Sequence, residues 1–428
     1  NTIRIQIAPL ESLSSKISEV LQDGDGNKQW LLWLGLKLYG ANGNAYLQRV
    51  LKQSEKVDDF AECLTMMLLE IPRDDDEFAA MYACRERILD SLPKNLSLIS
   101  HYCQRTGKYQ KDAVYYLTDS TEDEEHEFLR CLSSYDYSET ELLQITKFSF
   151  PQVYKYLVPF SFSQANMPLP ASDTTLRTEI TKYFQDYKQQ KLTNQILPDF
   201  MKQVVRYAEE RPYNKLPARS TLAARMDRKG AQLFFFDALG VEYLSYILEK
   251  CEEYGLIAEI LIGVCQLPSI TCENKDFISF FGNNFKKIDD LDELKHHSQI
   301  FDYQQCKEPI HLFRELEIID KQLQQIRKGL IQDSFNKAVI ISDHGASRLA
   351  VISNHQSKSN IHLDEKGEHS GRCCPTSSDP GIPFAAYTPN GYVVLANYDR
   401  FKGGRAANVE VTGGATLEDV MVPLITLT

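Results

Sequence analysis

The chain lacks the features that define several large classes of protein. Within its 428 residues no apolar run approaches the ~20 residues a helix needs to cross a bilayer. The N-terminus has no basic-then-apolar layout of a secretory signal, and it opens on Asn1 rather than Met, so the expectation is a cytoplasmic protein that is a piece of a longer chain. Ten cysteines are scattered without one CxxC pair, which argues against a disulfide scaffold or a zinc knuckle and fits reduced thiols. Positive charge is in deficit as well. A formal net charge of −12 excludes nucleic-acid binding through bulk electrostatics and leaves only a local basic groove. No internal repeat recurs at a fixed period.

What is present suits a globular protein of two or three domains, with 43% hydrophobic and 25% charged residues. Residues 1–165 read as a row of helices forming an interaction domain. Trp30, Leu31, Trp33, Leu34 and Leu38 make one apolar face, and Phe60, Leu64, Met67, Leu68 and Ile71 another. The acidic run Asp119 to Glu127 reads as a solvated loop or a helix start. A Pro- and Ser-bearing stretch, Pro159 to Ser172, marks a boundary, and residues 166–230 follow as a helical connector.

From Ala231 the pattern changes to strands alternating with helices, the signature of βαβ units around a mostly parallel sheet. Strands are expected at Gln232–Phe236, Ile257–Val264, Ala338–Ser342, Leu349–Ser353, Tyr392–Asn397 and Met421–Thr426. Leu312, Leu316, Ile319, Leu323, Ile326 and Leu330 keep a helical spacing whose stripe would pack on that sheet.

Chemistry-bearing residues collect where these strands end: Asp237 after FFF, Thr271 after LIGVCQLPSI, Asp343 and His344 after AVIIS. On a parallel sheet such ends share one edge, where ligands bind. Two carboxylates, an imidazole and a hydroxyl suit a transition metal held by N and O ligands. Thr271 is preferred to Ser269 as nucleophile because PSITCEN places it at the start of a helix, with Asn274 one turn later to donate to a phosphoryl oxygen; the same residues also suit a helix cap. Asp292 and His296, spaced DxxxH, would share a helix face as a metal clamp, with His297 a rival ligand. His369, in a Gly-bearing loop, either completes a second site or is an exposed loop residue. Arg348 and Lys275 are candidates for binding a substrate phosphate, Arg348 equally for pairing with a carboxylate.

FFFDALGVEYL, LPSITCENK, VIISDHGASRLAV and VTGGATLEDVMVPLI occur in that order between Ala231 and Thr428. Together they resemble a PglZ domain of the alkaline phosphatase superfamily, in the version found in type-4 BREX phage-defence systems. The resemblance implies an α/β fold with an alkaline-phosphatase-like, mostly parallel sheet flanked by helices over residues 231–428, preceded by the all-α part. It implies a zinc-dependent phosphatase or phosphodiesterase holding two ions, with manganese or magnesium as substitutes. Asp237, Thr271, Asp343 and His344 match the nucleophile-side site, Asp292, His296 and His369 would form the other, and Asn274 would steady the transferred phosphoryl group. Metal-bound Thr271 would attack phosphorus, and water on the second ion would hydrolyse the phosphothreonine. Many PglZ domains carry His-Gly-Gly where this chain has Thr412-Gly413-Gly414, which puts the second site in doubt unless His369 supplies a ligand.

The substrate would be a phosphoester, a nucleotide or an oligonucleotide among the options, and other defence proteins would be partners. A nucleic-acid diester would need a basic groove, for which Arg219, Arg225, Arg228, Lys229, Lys402 and Arg405 are the candidates. The competing expectation is a catalytically degenerate domain that docks partners in a multiprotein defence complex.

Overall fold

The computed structural model describes residues 25–39, 44–90, 97–162, 174–297, 307–356, 360–361, 365–405 and 409–428, with positions 17, 20, 363 and 407. The chain forms two compact units, Asn1–Pro151 and Gln152–Thr428.

The first unit is helical. Its helices begin where the sequence supplies caps: Thr121 accepts from the backbone of Glu124 below four acidic residues, and Ser138 and Glu141 form a reciprocal capping box. The acidic run is therefore a helix start. Phe60, Leu64, Met67, Leu68 and Ile71 are all buried, although the helix Val57–Met66 tightens into a 3₁₀ turn at Met67–Glu70. On the helix Gly26–Tyr39, by contrast, Trp30, Leu31 and Leu38 are exposed and Leu36 is buried, so the expected face is not the inner one. Arg85 and Glu124 form a fully buried ion pair at 2.8 Å.

The second unit is mixed α/β. Its strands are β1 (Ala231–Phe236), β2 (Ala258–Val264), β3 (Phe285–Ile288), β4 (Lys337–Ser342), β5 (Asn360–Ile361), β6 (Cys373–Pro375), β7 (Ala385–Tyr387), β8 (Tyr392–Leu395), β9 (Arg400–Phe401) and β10 (Met421–Leu427). The main sheet has the order β2-β10-β4-β1-β3, with β1 parallel to β3 and β4, and β10 antiparallel to β2 and β4. Strands β1 to β4 thus end at one edge. Near-continuous apolar runs such as LFFF and AVII are what a sheet covered on both faces requires. Leu233, Phe235, Val339, Ile341 and Leu424 pack with Phe277 and Phe281 on one of those faces. The long helix His311–Ile331 buries the expected stripe from Leu312 to Ile326.

Two expectations are corrected here. Leu349–Ser353 is not a strand but part of the helix Arg348–Gln356, whose start is capped by Ser347 Oγ accepting from Ala350 N at 3.1 Å. A short apolar run does not by its periodicity distinguish strand from helix. The helices Thr174–Thr193 and Pro198–Glu210, expected as a connector, belong to the α/β unit: Tyr183, Tyr187, Lys188 and Lys191 are buried there.

Candidate metal centre

Strands β1 and β4 are adjacent and parallel, with Phe236 opposite Ser342, so the residues that follow them meet at the carboxyl edge. Asp237, Asp343 and His344 are buried, and one ligand atom from each lies within 4.8 Å of the others. The local backbone fixes their orientation. Asp343 Oδ1 accepts from Ala238 N at 3.1 Å and from His344 N at 2.9 Å. His344 Nδ1 lies 2.9 Å from the Gly345 carbonyl, which only accepts, so Nδ1 carries the proton and the Nε2 lone pair faces the cluster. That lone pair stands 3.3 Å from Asp343 Oδ2 and 3.7 Å from Asp237 Oδ1. Asp343 Oδ2 is buried without a hydrogen-bond partner. Converging lone pairs and an orphaned carboxylate oxygen are costly unless a cation joins them, and two carboxylates with one imidazole fit a divalent metal. A Cβ at Gly345 would run into the Glu418 carbonyl, while Gly345 N donates to Asp419 O at 2.9 Å, so the Asp-His-Gly turn is pressed against the segment ahead of β10.

Thr271 completes the group. Its Oγ1 lies 3.1 Å from Asp237 Oδ1 and 3.2 Å from His344 Nε2. Ser269, the alternative hydroxyl, is committed elsewhere: it donates to Gly414 O at 2.8 Å and accepts from Gly413 N at 3.1 Å. Thr271 opens a single 3₁₀ turn, Thr271–Glu273, rather than a helix, so no helix dipole is aimed at it.

Burial, reinforced by the Asp343 and Asp292 carboxylates, pushes the Asp237 carboxyl up to about 6. Its second oxygen is paired with Lys287 Nζ at 2.9 Å, and the same ammonium also contacts Asp289. Arg219 is no groove residue: it is buried, donating to the Asp343 carbonyl at 2.6 Å and pairing with Asp276 at 2.6 Å. Lys287 and Arg219 brace the cluster from outside, and only a basic residue at an unremarkable position signals them in the sequence. Arg225, Lys229, Lys402 and Arg405 are exposed.

The other expected ligands converge less. His296 Nε2 lies 3.2 Å from Asp292 Oδ1 on the helix Asp290–His297 and 3.4 Å from Thr412 Oγ1. His369 packs against Gly413, where a Cβ would collide with it, and its imidazole is held below the usual value by burial and by the nearby His296 and His344. Among the described residues Asp292, His296 and His369 do not close into a three-ligand cluster. The side chain of His297 lies outside them.

Three expected substrate groups stand differently. The Asn274 amide is spent on its own loop: Oδ1 accepts from Gln266 N, and Nδ2 donates to the carbonyls of Gln266, Pro268 and Ile270. Arg348 is buried and donates to the Val409 and Lys307 carbonyls and to Asn194 Oδ1. Lys275 is exposed, in the loop just beyond Thr271.

A second acid–histidine group, His311, Glu315 and Glu410, also has the spacing of a metal site. It is filled by cations of the chain itself. Lys191 Nζ lies 2.9 Å from Glu315 Oε2 and 3.3 Å from Glu242 Oε1, Lys295 Nζ lies 3.1 Å from Glu410 Oε2, and His311 Nε2 lies 3.1 Å from Glu410 Oε1. This is a buried ion network, invisible in the sequence because its members come from five separate segments.

Residues 1–135 match a domain family of unknown function, DUF7863. No curated protein matches the chain.

Proposed function

We propose that the second unit is a metal-dependent phosphoester hydrolase, a phosphatase or phosphodiesterase of alkaline-phosphatase-like fold, with Thr271 as nucleophile. The observation that carries this reading is the placement of Thr271 Oγ1 at 3.1 Å and 3.2 Å from Asp237 Oδ1 and His344 Nε2, beside the orphaned Asp343 Oδ2. Asp237, Asp343 and His344 would hold a divalent cation such as zinc, with manganese or magnesium as substitutes, and that cation would supply Lewis-acid stabilisation of charge at phosphorus. Thr271 gives up its hydroxyl proton to solvent, and its Oγ1, held beside Asp237 Oδ1 and His344 Nε2, attacks the phosphorus atom. The bond to the leaving group breaks, and water then releases phosphate, or its ester, from the threonine. His344 stays oriented through the Gly345 carbonyl throughout, and Arg219 holds the Asp343 backbone. Asp292 and His296 are the next candidates to hold a cation, with His369 and Thr412 beside them.

Membership of the PglZ group, a BREX-type defence setting, a nucleotide or oligonucleotide as substrate and defence proteins as partners rest on the sequence resemblance. A second reading, a catalytically degenerate scaffold that docks partners, is favoured by the open Asp292–His296 pair and by the commitment of Asn274 and Arg348 to the protein's own backbone. Metal analysis of the purified chain, combined with hydrolysis of p-nitrophenyl phosphate and its bis ester, separates them. The hydrolase reading expects bound zinc or manganese and turnover of at least one ester, abolished by chelation. An absence of both metal and turnover would leave the scaffold.

A further inference from the structure

The turn that sets the cluster is held by a residue that touches none of its ligands. Ala238 follows Asp237 at φ +60, a left-handed conformation that a residue with a Cβ adopts only when its surroundings impose it. Its N–H is the donor to Asp343 Oδ1. The next peptide is held at both ends: Leu239 N donates to Ser342 Oγ at 3.0 Å, and the Ala238 carbonyl accepts from Lys295 Nζ at 3.1 Å. Lys295 is fully buried, and its ammonium also meets Glu410 Oε2 at 3.1 Å and Glu315 Oε1 at 3.5 Å. Its helix carries Asp292 and His296 towards the cluster side. One ammonium therefore ties together the strained turn after β1, the helix Asp290–His297, the long helix through Glu315 and the chain just before Thr412.

We infer that Lys295 is a positioning residue for the metal centre: through the Ala238 carbonyl it fixes the turn that orients Asp237 and leaves Asp343 Oδ2 turned into the cluster, and it sets the spacing of that cluster from the Asp292–His296 pair. The buried glutamates keep the ammonium charged and in place, since a lysine taken out of water needs such partners. The inference rests on reading Asp237, Asp343 and His344 as metal ligands.

The test compares the whole chain with Lys295→Met, with Lys295→Arg, and with Lys295→Met combined with Glu315→Gln, which removes one buried charge of each sign. Amide hydrogen exchange at Ala238 and Leu239 is followed in the metal-free protein, and zinc affinity is measured by competition with a chelator. The charge-balanced double variant is expected to fold, to lose protection at the turn, and to bind zinc ~10–100-fold more weakly, as changes to outer-shell partners typically do. Lys295→Arg should recover part of the affinity. Unchanged exchange at the turn, or zinc affinity within about 2-fold of the parent when the parent binds it, would overturn the inference. So would failure of both Met variants to fold, which would assign Lys295 to stability alone. If the parent chain binds no zinc, the ligand reading fails, and exchange at the turn by itself decides whether Lys295 holds it.

Discussion

Asp237 is the residue on which the chemistry and the electrostatics meet. Its folded carboxyl titrates at about 6 rather than the ordinary 3.8, because burial and neighbouring carboxylates disfavour its charge. Between those values the folded chain binds more protons than the unfolded one, so this residue's contribution to stability falls as pH rises from about 4 to about 6. Denaturation of chelated protein should therefore show the parent losing stability relative to Asp237→Asn across that window. A constant difference would mean that Asp237 is not electrostatically stressed. A bound cation reverses the sign, since it holds the carboxylate ionised. At this scale the sequence was informative for Asp237, Asp343 and His344, which follow strand ends directly, and for Thr271, which opens the turn beyond β2; the structure brings the four together. The sequence was uninformative for Lys287, Arg219 and Lys295, whose roles depend on which distant carbonyl or carboxylate each side chain reaches. Asn274 and Arg348 show the converse: residues of the right chemical type whose hydrogen-bonding capacity is taken up by their own surroundings.

Among the elements, the long amphipathic helix was legible from its period, and the main-sheet strands β1, β2, β4 and β10 from their apolar runs bounded by turn residues, whereas the short strands β3, β5, β6, β7 and β9 were not expected and the errors fell on short pieces. LAVIS is apolar enough for a strand, but the serine before it caps a helix. The turn after LPSI is too short to be a helix with a useful dipole. The Asp-His-Gly turn depends on an element far along the chain, the short helix Leu417–Val420, whose Glu418 carbonyl sits where a Cβ at Gly345 would be. Gly345→Ala is thus expected to cost about 3 kcal/mol or more, because one of two backbones must move. Thermal or urea unfolding measures it, and a cost below ~0.5 kcal/mol, the level of a neutral surface change, would contradict the close approach.

For the whole molecule, the sequence placed a helical part before an α/β part, and the structure has both, divided after Pro151. The helices beyond that point were expected as a connector because they follow the Pro- and Ser-bearing stretch Pro159 to Ser172; the partners of Tyr183 and Lys191, namely Glu242, Glu315 and Glu418, lie far along the chain. The match to DUF7863 covers residues 1–135, in the helical unit, whereas every proposed ligand lies in the other. In the proposed mechanism the Thr271 hydroxyl attacks phosphorus beside the Asp237, Asp343 and His344 cluster. That attack is tested most directly by the rate of p-nitrophenyl ester hydrolysis by the parent, Thr271→Ser and Thr271→Ala at saturating zinc or manganese. The prediction is measurable turnover by the serine variant and a loss of roughly 10³-fold or more in the alanine variant, the scale on which losing a nucleophile acts. Hydrolysis by Thr271→Ala at the parent rate would contradict it.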